Sequence, residues 1–252
     1  MGATKASLYA FWISDNLDYT TLSEKLEEVV NKTKPDFNKK ETEGFINFEK
    51  FDDYLYFEFY FSFVQEKADP AGIGVYYVPI KGAIPISLIR DPFMLIIFTR
   101  NKIQRDKILS YLPIGPEYRE GYAVSSDFIE FLNVPRPEKW AGYVFGDCIE
   151  PRGRKGHSSK THTVTERYSG PDEREVELEK EGKNYVFRDF AEVNISLEET
   201  SIKLTLYPTG KVTVSTLGQE RKLLAPYIAK ALKFIKDAES RYLSRKGKIQ
   251  GG

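Results

Sequence analysis

The side chains best equipped for chemistry crowd into one stretch, Pro151 to Tyr168. It carries Arg152, Arg154, Lys155, Lys160 and Arg167 against a single acid, Glu166. Both histidines of the chain, His157 and His162, lie inside it, interleaved with Gly153, Gly156, Ser158 and Ser159. Small neighbours let backbone N–H groups approach a phosphate, and arginine offers a forked pair of donors that matches phosphate oxygens. The chemistry this predicts is a contact to DNA or RNA; a solvated loop with no partner has the same composition. A second basic run, Arg241, Arg245, Lys246 and Lys248, lies near the end of the chain. Lys plus Arg equals Asp plus Glu at 37 each, so the net charge is zero. That argues against a surface that is basic throughout and confines any polyanion contact to these two places. The expected binding residues are therefore Arg152, Arg154, Lys155, His157, Lys160, His162, Arg167, Arg245, Lys246 and Lys248.

Other constellations are thinner. Cys148, His157 and His162, with Asp147 or Glu150, offer metal-ligand atom types, but structural zinc generally uses a close Cys pair, and the chain has one cysteine. No metal or other cofactor is expected. Cys148 as a nucleophile needs one of those histidines brought to it by the fold. Glu173, Glu175, Glu177 and Glu179 alternate, so on a strand they share one face. Such a row could hold a magnesium ion for phosphodiester cleavage, and it is equally the solvated side of an exposed strand. The chain has no G-x-S-x-G, phosphate-binding loop or dinucleotide fingerprint. Tyr54, Tyr56 and Tyr60 share one strand face and could stack bases, or lie under a helix.

The elements that must position these groups follow from periodicity. Ile202, Leu204 and Leu206 alternate with polar residues, Tyr207-Pro208-Thr209-Gly210 reads as a turn, and Val212 and Val214 resume the alternation. Leu224, Tyr227, Ile228, Ala231, Leu232, Ile235, Ala238 and Tyr242 then recur at helical spacing. Upstream, Ser7–Ile13 reads as a strand. Thr21-Leu22-Ser23-Glu24 fits a capping box before a helix with Leu22, Leu26, Val29 and Val30 inward. A hairpin turns at Phe51-Asp52-Asp53; its second strand sets Leu55, Phe57, Phe59, Phe61 and Phe63 against Tyr54, Tyr56, Glu58, Tyr60 and Ser62. A strand over Ile73–Ile80 is followed by a segment punctuated by Gly82, Pro85 and Pro92. Phe93–Thr99 is a buried strand, and Lys102–Leu112 a helix with Ile103, Ile108, Leu109 and Leu112 inward. Residues 113–139, with prolines at 113, 116, 135 and 137, are the expected linker, with a helical turn over Phe128–Leu132. Strands are expected over Trp140–Asp147, Thr161–Tyr168, Val176–Glu179, Tyr185–Phe190 and Val193–Leu197, and 151–160 as a loop. The expected divisions are 1–112, the linker, an antiparallel meander and long helix over 140–246, and a flexible tail 247–252.

The hairpin Lys203 to Val214 resembles that of the TATA-box-binding protein fold and of the related amino-terminal domain of one ribonuclease H class, and the order of elements in the first half resembles one half of that fold. The resemblance implies an α+β fold with a curved antiparallel sheet; no binding residue carries over from it. The expectation is thus α+β, two antiparallel sheets each backed by helices, in a duplicated TATA-box-binding-protein-like arrangement. No apolar run approaches the roughly 20 residues a membrane span needs, so a cytoplasmic protein is expected. Charged residues make up 29% while His, Cys and Met are scarce, a bias shared with thermophile proteins, including archaeal ones. The functional expectation is a non-catalytic nucleic-acid-binding or scaffold subunit of a larger nucleic-acid-processing assembly, for example a split nuclease or Argonaute-like system. The enzymatic alternative is a metal-dependent nuclease using the row 173–179.

Overall fold

The computed structural model describes residues 4–68, 74–133, 149–150, 154–158, 163–167, 190–197, 200–216 and 221–250. The expected strands over 140–147, 176–179 and 185–189 lie outside them. The protein is α+β. Its strands are β1 (Thr4–Ile13), β2 (Thr42–Lys50), β3 (Tyr54–Ala68), β4 (Val75–Ile89), β5 (Met94–Ile97), β6 (Arg119–Gly121), β7 (Ile149–Glu150), β8 (Arg154–Ser158), β9 (Thr163–Arg167), β10 (Ala191–Leu197), β11 (Thr200–Leu206) and β12 (Lys211–Thr216). The helices are α1 (Tyr19–Lys32), α2 (Lys102–Tyr111), α3 (Ser126–Asn133) and α4 (Arg221–Gln250), with a 3-10 turn at Pro116–Tyr118. Where two sheets, each backed by helices, are expected, ten strands among the described residues form one large sheet, ordered β2-β3-β4-β5-β1-β12-β11-β10-β7 with β6 also on β1. A separate two-stranded sheet pairs β8 with β9. By contacts the chain divides into two compact units, one of Tyr9–Gly121 with Glu220–Pro226, the other of Met1–Leu8, Tyr122–Gln219 and Tyr227–Gly252.

In the first of these units α1 starts because Asp18 accepts from the Thr21 N–H at 2.7 Å, which holds the Asp18 carboxyl below its ordinary range. Asp18, and not Thr21, is therefore the cap. Leu22, Leu26 and Val30 enter a core with Phe45, Phe57, Phe59, Ile86, Leu88, Leu95, Ile97 and Ile108. Ile103, expected inward, is 78% exposed. Five residues from Ile108, it lies about 140° around the helix from it. β4 does not end at Ile80, where the sequence suggests, but continues through Pro85 to Ile89. It pairs with β3 without a break from Ala68↔Val75 to Tyr54↔Ile89. The prolines are tolerated because β5 pairs β4 only over Ile86–Ile89, which leaves no ladder for Pro79 to interrupt. Gly44 has φ +157°, and a Cβ there would lie 1.8 Å from the Thr33 carbonyl oxygen. β2 can pass the end of α1 only because that residue is glycine.

In the other unit the expected hairpin is present. Gly210 has φ +76°, and its N–H donates to Tyr207 O at 3.1 Å. A Cβ at 210 would also meet Tyr122 O at 2.6 Å, so turn and packing both require glycine. Leu204, Leu206, Val212, Val214, Ile228, Leu232 and Ile235 are all buried. Residues 126–133 form α3, whose Phe128 and Phe131 rings lie 5.8 and 4.2 Å from that of Tyr242. α4 continues to Gln250, through Gly247, where the sequence suggests a tail.

Candidate nucleic-acid interface

The described part of the basic stretch is strand, where a loop is expected over 151–160. Residues 154–158 form β8, paired antiparallel with β9 in the register Arg154↔Arg167, Lys155↔Glu166, Gly156↔Thr165, His157↔Val164 and Ser158↔Thr163. Periodicity misses β8 because the run Arg-Lys-Gly-His-Ser has no apolar alternation; the cross-strand partner defines it. The register sets positions 154 and 167 directly opposite one another, and opposed residues share a face. Lys155 stands opposite the one acid of the stretch. Arg152, Lys160 and His162 lie outside the described residues, as do Cys148 and the acidic row 173–179. Among the described residues no group of three metal-ligating side chains occurs.

The second basic run lies wholly in the last turns of α4, including Lys248, which the sequence places in a tail. At 100° per residue, positions 241, 245 and 248 follow one side of the helix and 246 departs from it. Arg241 is exposed, its guanidinium 6.0 Å from the Phe234 ring centre.

The Tyr54–Tyr56–Tyr60 face is not a stacking platform. Tyr54 and Tyr56 are 8% and 7% exposed, and Tyr60 packs edge-on against Phe37 at 5.2 Å. The covered alternative holds, because a second layer meets this face. Lys222, at the start of α4, pairs with Glu49 at 3.4 Å, and the charges of Arg221 and Lys222 act on Tyr56 and Tyr54.

Two polar clusters were not anticipated. Asn47, at the irregularity between Ile46 and Glu49, has φ +56°. Its amide donates to Glu58 Oε2 at 2.8 Å, and Tyr56 Oη donates to Glu58 Oε1 at 2.5 Å. Burial first, then the bond to Glu58, pushes the Tyr56 hydroxyl far above its ordinary pKa. Glu58 thus receives a donor on each oxygen and holds the bulge. Its signal in the sequence is that it is the only charge between Tyr54 and Val64. In the other unit Glu239 is 2% exposed. Oε1 accepts from the Ser125 N–H at 2.6 Å, and Oε2 accepts from Lys236 Nζ at 2.7 Å. Lys236 also donates to Ala123 O at 2.9 Å. Burial raises the Glu239 carboxyl, but the Lys236 and Ser125 bonds outweigh it and hold it below its ordinary range. Its signal is an acid four residues after Ile235, inside the apolar stripe.

The chain matches no protein-family model, and a search of curated proteins finds no match. No helix among the described residues is long and apolar enough to cross a membrane.

Proposed function

We infer that this chain is a non-catalytic nucleic-acid-binding subunit that contacts DNA or RNA phosphates through the β8–β9 hairpin, with the last turns of α4 as a second basic surface. One observation carries this reading: Arg154 stands opposite Arg167. Like charges directly opposed weaken an antiparallel pair, and a phosphate between them turns the repulsion into two charge-assisted bonds. The flanking Arg152, Lys155, Lys160 and His162 would extend the contact along a backbone, and a neutral net charge leaves room for a further protein subunit. The strand–helix order β1-α1-β2-β3-β4-β5-α2 and the β11–β12 hairpin leading to α4 support a TATA-box-binding-protein-like duplication.

The test is a titration of labelled duplex and single-stranded DNA and RNA at several salt concentrations. The parent should lose affinity steeply with salt. Arg154→Ala with Arg167→Ala should weaken all sequences alike and lower the slope of log affinity against log salt by roughly 0.7 to 0.9 for each lost phosphate contact. An unchanged slope sinks the assignment. Magnesium-dependent cleavage that is lost in Glu175→Gln with Glu177→Gln would establish the nuclease instead.

A further inference from the structure

β3 and β4 continue beyond the strands that flank them. β2 pairs β3 only as far as Ser62, and β5 pairs β4 only over Ile86–Ile89. Among the described residues, 63–68 and 75–80 thus form a two-stranded ribbon, and the far edge of β4 stays unpaired as far as 83. It exposes Phe63 (43%), Val75 (54%), Tyr76 (45%) and Tyr77 (65%). A ribbon with apolar side chains and bare edges is a template for another strand.

The two edges are guarded differently. The Phe98 N–H donates to Pro85 O at 2.9 Å, so the backbone groups of Pro85 point away from β3. The β3–β4 register is unbroken, so those of residues 75, 77, 79, 81 and 83 point the same way. They form the open β4 edge, with Pro79 at its centre and no N–H to offer. Pairing this edge antiparallel with that of a second copy, about a two-fold axis at residue 79, opposes Tyr77 to Lys81 and Val75 to Ala83. No like charges meet, and an ammonium meets an aromatic ring. An axis at residue 81 would oppose Lys81 to itself. Of these two registers, the favourable one is centred on the proline. On β3 the Val64 N–H donates to Glu41 Oε1 at 3.4 Å, so Val64, Glu66 and Ala68 face outward. A two-fold axis at 66 or at 67 opposes Glu66 to Glu66 or Lys67 to Lys67, and like charges repel.

We propose that Pro79 is a block against strand addition, keeping the exposed β4 edge from pairing with a second copy of this chain.

Analytical ultracentrifugation of the full chain tests this. Pro79→Val restores a donor in each copy, hence two hydrogen bonds across the axis, and self-association should tighten about tenfold or more over the parent. Adding Tyr77→Lys sets lysine against Lys81 in that register and should return the protein to parental behaviour. Pro79→Thr, with the same restored donor and a more polar side chain, is the second variant should the valine form not fold; circular dichroism checks each. Dimerisation of either single variant that Tyr77→Lys abolishes supports the proposal. Folded variants that sediment as the parent does, or association that Tyr77→Lys leaves unchanged, overturn it.

Discussion

Glu239 is the acid whose removal the structure prices most clearly. It is almost wholly buried, both its oxygens are engaged, and it ties α4 to the backbone at Ser125. Glu239→Ala leaves the Ser125 N–H without its acceptor and opens a small void. Losing a buried acceptor costs about 1–3 kcal/mol, and removing one partner of a buried ion pair about 3–5 kcal/mol. Lys236 is 41% exposed in its side chain and can turn to water, so the lower part of that range applies. The expected loss is about 2–3 kcal/mol, measured by urea unfolding followed by circular dichroism, with the slope unchanged. Glu239→Gln keeps an acceptor for Ser125 and should lose about half as much. The pH dependence has a definite sign. The folded carboxyl titrates below its ordinary value of 4.5, so its contribution is complete above that value and disappears as pH falls through the folded value. Stability should therefore fall less steeply on acidification in Glu239→Gln than in the parent. A loss under about 0.5 kcal/mol for Glu239→Ala, with an unaltered acid limb, would refute the reasoning.

Three further outcomes are expected. Gly44→Ala drives a Cβ into the Thr33 carbonyl and should cost about 3 kcal/mol or more in chemical denaturation, because the obstacle is backbone. Leu232→Ala, fully buried in α4, should cost about 2–5 kcal/mol by the same assay. Tyrosine nitration read by mass spectrometry should label Tyr77 and Tyr76 early and Tyr56 and Tyr122 late, since both are buried and their hydroxyls resist ionisation.

Local patterns in the sequence determine much of this protein. The alternation over 54–64 yields β3, the spacing from Leu224 to Tyr242 yields the buried stripe of α4, and Tyr207–Gly210 yields a turn whose glycine carries the required positive φ. These features are legible because each depends on neighbours a few residues apart. Tertiary structure decided the rest. Tyr56 is buried because the start of α4, more than 160 residues later, meets its face, and periodicity can report one covered face but not a second. Asp18 rather than Thr21 caps α1 because the chain enters the helix three residues earlier than the box pattern implies. β4 runs on past Ile80 and through Pro85 because its ladder with β5 begins only at Ile86, a fact held in another strand. The opposition of Arg154 to Arg167 likewise exists only as a register between two strands, since composition shows that charge is concentrated without showing which charges face each other.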